Sequence, residues 1–251
     1  MGVAQVDITP PLGFPMSGYY HERLATGTRD PLWAKAVVFR SGTTQAAWVV
    51  CDLTGISADL SNEVRRLSSE KTGIPTTHIV VSATHSHTAP DYYRTLYQYL
   101  APASEITRNA DQQRLAYAGR MIAGTVQAIV DAQAAAQPVT LLAASVEQET
   151  PVSFCRRFVM RDGSVRTWVG LTNPQSLRAT APIDPEIALL SIQRPSDHAT
   201  LGLISNFALH LDTVGGLEWS GDYPYFIEQA VRRELKSDAV SLFGTGCCGD
   251  I

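Results

Sequence analysis

The chain has 251 residues, of which 45% are hydrophobic and 18% charged, and its net charge is −4. That length and mix suit a folded chain with a sizeable core. No block of like charge points to nucleic acid or to a polybasic membrane anchor, and no apolar run is long enough to cross a bilayer.

Residues 3–8 alternate as a short strand. The N-terminus lacks a basic region followed by a long apolar one, so no signal peptide is visible and the cytoplasm is the default compartment. Asp7-Ile8-Thr9-Pro10-Pro11-Leu12-Gly13 turns the chain into an irregular loop through Tyr19-Tyr20-His21. His21 reads as a solvated loop residue. Residues 34–40 and 46–52 are apolar runs around Ser41-Gly42-Thr43-Thr44, which predicts a β-hairpin with a somewhat long loop. Asp52 closes the second run, where it either caps a turn or faces a crevice. Asp59 to Lys71 reads as a helix, with Asp59 as N-cap, Leu60, Val64 and Leu67 on one stripe, and Gly73 as its stop.

Ile79 to Ala83 then forms an apolar strand that runs into Thr84-His85-Ser86-His87-Thr88-Ala89-Pro90. The strand–helix–strand order predicts a parallel, right-handed crossover. In extended backbone, residues two apart share a side, so His85 and His87 are expected to project together at the strand end. Strand ends facing a crevice are where open α/β sheets place ligands. The pattern HxH alone is not specific, and Ala89 stands where metallo-β-lactamase-type hydrolases need an Asp.

Asp91 to Tyr99 is aromatic and either lines an apolar pocket or packs as a helix face. Residues 111–136 predict a long Ala-rich helix that ends before Pro138, and 139–147 predict a strand. Arg156 and Arg157 offer one cation for an oxyanion and one for the surface, or simply two exposed charges. The segment 162–183 reads as loop-rich. Residues 186–193 and 201–209 predict a second hairpin around Pro195-Ser196-Asp197-His198, with His198 solvated. Its second strand delivers His210 near its end. Ser220-Gly221-Asp222-Tyr223-Pro224 opens a helix to about Lys236, and 239–243 form a last strand.

Of the four cysteines, Cys51 reads as core. Adjacent Cys247 and Cys248 could bind a soft metal or form a strained vicinal disulfide, although reduced thiols in a tight loop are the plainer account. The residues predict an α/β fold with a mixed β-sheet core flanked by helices, in one domain over 1–251. Termination at Ile251, directly after a strand, predicts that this domain is incomplete at its C-terminal end.

His85 and His210 could share one Zn²⁺, since imidazole is a favoured zinc ligand. His87 could then hydrogen-bond a carbonyl oxygen or leaving group. Asp212 and Asp222 are candidates to orient a ligand histidine. No P-loop, dinucleotide fingerprint or GxSxG elbow is present.

Several pieces occur together in order: Val6-Asp7-Ile8-Thr9-Pro10-Pro11-Leu12-Gly13, Met16-Ser17-Gly18-Tyr19, Ser82 to Pro90, Asn206-Phe207-Ala208-Leu209-His210, Ser220-Gly221-Asp222 and Cys248-Gly249-Asp250-Ile251. The set resembles the neutral/alkaline non-lysosomal ceramidase family, across nearly the whole chain. The resemblance implies a catalytic N-terminal α/β domain of an amidase with one Zn²⁺, acting on ceramide or a related lipid amide. It implies His85 and His210 as zinc ligands and His87 as the histidine that stabilises the transition state. The family's Asn-Arg pair falls on Cys155-Arg156, which makes Arg156 the oxyanion candidate of the two arginines. The family completes its zinc site with a Glu and a Tyr from farther downstream, beyond Ile251. Leu211-Asp212-Thr213-Val214 departs from the best-known ceramidases, which leaves open a different amide or ester substrate. A non-catalytic homologue is the rival reading.

Overall fold

The computed structural model describes residues 1–101, 111–170 and 172–251. In chain order the elements are β1 (Gly2–Asp7), β2 (Pro15–Met16), β3 (Arg23–Leu24), β4 (Gly27–Thr28), β5 (Trp33–Ser41), β6 (Thr44–Cys51), α1 (Ala58–Thr72), β7 (Ile79–Ala83), α2 (Tyr93–Leu100) and α3 (Gln112–Ala134). Then follow β8 (Thr140–Glu147), β9 (Arg157–Met160), β10 (Val165–Thr167), β11 (Ser176–Ala179), β12 (Glu186–Gln193), β13 (Thr200–Phe207), β14 (Glu218–Trp219), α4 (Tyr223–Leu235) and β15 (Val240–Thr245).

Two four-stranded mixed sheets form the frame. The first has order β1-β5-β6-β7, and the second β15-β13-β12-β8. Each contains one parallel pair, β6 with β7 and β13 with β15. Helices α1 and α3 cover one face of the first sheet through Leu60, Val64, Met121, Val126 and Ile129. The sheets meet through Val37 and Val50 on one side and Ile192, Val240 and Leu242 on the other. The fold is the expected α/β arrangement, and the β6-α1-β7 crossover is parallel as predicted. Among the described residues no helix is long and apolar enough to cross a membrane.

Four local expectations are corrected. The β5–β6 connection is a tight two-residue turn, because Ser41 pairs with Thr44 and Gly42 takes a positive φ of 56°. The N-cap of α1 is Ser57, whose hydroxyl accepts from Leu60 N, rather than Asp59. Asp52 does not cap a turn. It is buried, and accepts from Trp33 N at 2.9 Å and from the Thr84 hydroxyl at 3.3 Å. Finally, the loop-rich segment 162–183 is not all loop, since it includes the short strands β10 and β11, which flank β9 in a small sheet turned at Asp162-Gly163. Leu171 lies outside the described residues.

The aromatic stretch before α2 divides its roles. Tyr92 is fully buried, and its hydroxyl donates to Gly55 O and accepts from Ser57 N. Tyr93, Tyr97 and Tyr99 are exposed.

Candidate metal centre

The carboxyl ends of both parallel pairs converge. From β6 come Asp52 and Thr54, from β7 the segment 84–88, from β13 the segment 208–212, and from β15 the segment 246–250. The cross-links are explicit. Thr84 N donates to Cys51 O, His85 N to Leu53 O, and His87 N to Leu211 O at 3.0 Å. The Thr245 hydroxyl donates to Thr84 O, and Gly246 N donates to Phe207 O. The His87–Leu211 and Thr245–Thr84 bonds tie one sheet's strand ends to the other's, and the rest join neighbours within a sheet.

His85 and His87 do meet, but the two-residue strand period is not the cause. The strand stops at Ala83, and His85 takes the left-handed conformation with φ 80°. A non-glycine residue there is strained and needs support. Ser86 and Thr88 supply it. Both are fully buried, and both hydroxyls donate to Ser220 O. Ser220 in turn donates to Asp30. Gly18 closes against the His87 ring so tightly that a Cβ there would lie 2.7 Å from His87 Cβ.

Three imidazoles now face one point. His87 Nε2 lies 3.0 Å from His210 Nε2 and 3.4 Å from His85 Nε2. The other ring nitrogens fix two of the tautomers. His85 Nδ1 is 2.7 Å from Thr54 O, and His210 Nδ1 is 2.9 Å from Cys248 O. A carbonyl only accepts, so each Nδ1 must carry the proton, and in the neutral ring Nε2 is then the nitrogen that presents a lone pair. Burial lowers the pKa of His210. Burial also lowers that of His87, to about 4, with the two neighbouring imidazoles adding to the fall and Asp212 opposing it. Both rings are therefore neutral at pH 7.

These features fit a zinc ion. Zn–N bonds of 2.0–2.1 Å at tetrahedral angles set ligand nitrogens about 3.3 Å apart, and the separations of 3.0 and 3.4 Å found here both run through His87 Nε2. Two converging lone pairs repel unless a proton or a cation lies between them. Metal ligation is helped when a histidine's other ring nitrogen is hydrogen-bonded, as Nδ1 is in both His85 and His210. His87 differs, because its buried Nδ1 has no hydrogen-bond partner among the described residues and lies 3.8 Å from an Asp212 carboxylate oxygen.

Arg156 stands beside this cluster. Its Nη2 donates to Gly249 O at 2.8 Å and lies 3.5 Å from His210 Nδ1, a contact between two protonated nitrogens. Its guanidinium sits 5.3 Å from the Trp168 ring centre. Arg157 is exposed in β9. The three histidines, Arg156, Trp168, Tyr19, Tyr20 and Asp212 line an open cavity of about 510 Å³. Tyr19 donates to Asp212 at 2.7 Å.

The structure thus brings His85, His87, His210 and Arg156 to one cavity. Asp212 reaches His87 rather than His85 or His210. Asp222 serves no histidine, because it is buried at the N-cap of α4 and accepts from Thr213 N, Val214 N and Tyr223 N. The sequence reading gave no role to Thr54, Trp168 or Tyr19. Thr54 follows the apolar run that Asp52 closes, a signal that could have placed it near the histidines.

Residues 1–216 match the family model described as neutral/alkaline non-lysosomal ceramidase, N-terminal. Among solved structures, the chain is similar to the neutral ceramidase of Pseudomonas aeruginosa, with a TM-score of 0.72 and 22% identity. It is also similar to a ceramidase complexed with C2, with a TM-score of 0.71 and 21% identity. Each likeness covers 99% of this chain and 38% of the other, so the chain spans well under half the length of those proteins. At such identities the likeness shows the fold. No curated protein matches.

Proposed function

Since the chain belongs to the neutral/alkaline non-lysosomal ceramidase family, we propose that it hydrolyses an N-acyl amide bond, in ceramide or a related lipid amide, with one zinc ion held by His85 and His210. The observation that carries this reading is the pair of tautomers fixed by Thr54 O and Cys248 O, which leaves two Nε2 lone pairs turned to one point. Zinc bound there would polarise a carbonyl and provide a water activated at neutral pH.

The chain's own residues do the rest. His87 stands with Nε2 at the meeting point and can hydrogen-bond the substrate carbonyl oxygen. The Asp212 carboxylate, 3.8 Å from its Nδ1, steadies positive charge that arises on the ring. The Arg156 guanidinium, held by Gly249 O, supports the oxyanion as negative charge grows there. Trp168 and Tyr20 give the mouth apolar area against which an acyl chain can lie while water is kept from the bond.

The test is turnover of a fluorogenic N-acyl amide. Activity should disappear with a chelator, return with zinc, and stay below about 1% in His85→Ala and His210→Ala, since even outer contacts of a metal are worth 10–100-fold. Full activity in the presence of chelator would rule out the zinc reading. A panel of simple esters decides whether the bond is an amide.

A further inference from the structure

The segments that carry His87 and Asp212 are both tied to one tripeptide, Ser220-Gly221-Asp222, between β14 and α4. Its first carbonyl serves one segment. Ser220 O accepts from the hydroxyls of Ser86 at 2.8 Å and Thr88 at 2.9 Å, the residues on either side of His87. Its last side chain serves the other. The Asp222 carboxylate accepts from Thr213 N at 3.0 Å, from Val214 N at 2.9 Å and from the Thr213 hydroxyl, directly after Asp212. We propose that this tripeptide is a clamp that sets the His87 ring against the Asp212 carboxylate, with Asp222 and Asp30 as positioning residues for the reaction. The inference rests on the role given to His87 above and deepens it.

The clamp is built to be stiff. Ser86, Thr88, Ser220 and Asp222 are fully buried, and a buried donor stripped of its acceptor cannot turn to bulk water. Asp30, also buried, spends both carboxylate oxygens on the tripeptide. It accepts from the Ser220 hydroxyl at 2.6 Å and from Gly221 N at 2.7 Å. The Ser220 hydroxyl accepts in turn from Asp222 N at 3.1 Å. A Cβ on Gly221 would lie 3.2 Å from Asp52 Oδ2 and 3.6 Å from Asp30 Oδ1, so the chain passes between two buried carboxylates. Asp222 itself sits at φ 58° and ψ −157°, a region almost reserved for glycine. An aspartate there is strained, and the bonds from Thr213, Val214 and Tyr223 N to its carboxylate hold it in place.

The proposed metal ligands are anchored elsewhere. His85 is fixed by Leu53 O and Thr54 O, and His210 by Cys248 O. Leu211 O and Arg23 hold the peptide groups of His87 itself. The clamp holds the turns on either side, 86–88 and 212–214, which aim the two side chains at each other. Its loss should therefore move His87 and Asp212 out of register while the Nε2 atoms of His85 and His210 keep their places. A displacement of about 1 Å at a reacting group can cost on the order of 10²-fold in rate.

The test compares Asp222→Gly, which relaxes the backbone but deletes the carboxylate, with Thr88→Val, which deletes only a hydroxyl that reaches Ser220 O. Each should lower kcat about 10- to 100-fold, with KM and zinc affinity within about three-fold of the wild type. The double variant should lose less than the product of the two losses, because both loosen one unit. Asp222→Asn, whose amide oxygen can still accept from Thr213 N and Val214 N, should recover part of the rate. A crystal structure of metal-free Asp222→Gly should show His87 Nδ1 displaced from Asp212 by about 1 Å or more, with His85 and His210 in place. Should Asp222→Gly fail to fold, Asp30→Asn replaces it with the same expectations, since it leaves one acceptor oxygen where Ser220 and Gly221 use two. Unchanged kcat in these variants would overturn the clamp, as would a zinc affinity that falls in step with the rate. A wild type that binds no zinc would end the zinc reading alone, and the position of His87 in the metal-free crystals would then decide the clamp.

Discussion

The wall of the cavity that carries His85 and His87 is sealed, while the wall opposite, with Trp168 at 66% exposure, stands in solvent. On the sealed side Thr84, Ser86 and Thr88 are buried, and each spends its hydroxyl on a backbone carbonyl or on Asp52. On the open side Trp168 flanks the mouth beside the guanidinium of Arg156, which Gly249 O holds in place. The difference assigns tasks. The histidines must hold one geometry against backbone strain, so they sit on interlocked strand ends. The groups that meet a substrate need access, so they sit on loops.

Substitutions can break this comparison. The largest effect is expected at His87, where His87→Ala should lower kcat by about 10²–10⁴-fold, the range for loss of an acid–base or polarising group. Zinc content should be unchanged, and its loss would move His87 into the ligand set. Next, Arg156→Ala should cost about 10²–10³ in kcat, as for one oxyanion donor. Arg156→Lys should restore little of it, because a point charge does not reproduce the fork. A change confined to KM would show that Arg156 only binds substrate.

The sealed side also carries a pH signature. Burial pushes the Asp52 carboxyl up to about 6, against the pull of Lys35. The native state thus holds a proton that the unfolded chain has lost, and stability should fall as pH rises from about 4 to 6. The shift corresponds to a change on the order of 3 kcal/mol. Asp52→Asn, whose amide oxygen can accept from Trp33 N while its NH₂ donates to the Thr84 hydroxyl, should flatten that part of a urea-denaturation series. An unchanged slope would place the titrating group elsewhere. The smallest effect belongs to the open side. Trp168→Ala should raise KM about two- to five-fold with kcat intact, the size of an exposed cation–π contact of about 0.5–1 kcal/mol.

The same contrast explains what the sequence made legible. Buried strands and helices announce themselves by period, so β5, β6, β7, α1, α3, β12, β13 and α4 are readable from their apolar residues. The sheet of β9, β10 and β11 is not, because Val165, Arg166 and Thr167 are all exposed and no alternation marks them. At the site, residue type and order pointed to His85, His87, His210 and Arg156, helped by a family resemblance. The reason given for the His85–His87 pairing was wrong, since a left-handed residue and not strand period joins them. Cys248 was visible only as one of two adjacent thiols. Its nearness to His85 and His210 depends on the β13–β15 pairing, which no local pattern encodes.

Zinc-edge anomalous diffraction from zinc-soaked crystals tests the central claim most directly. The account predicts one strong peak about 2.0–2.1 Å from Nε2 of both His85 and His210. An empty map at that point, or a peak bonded to other residues alone, would contradict it.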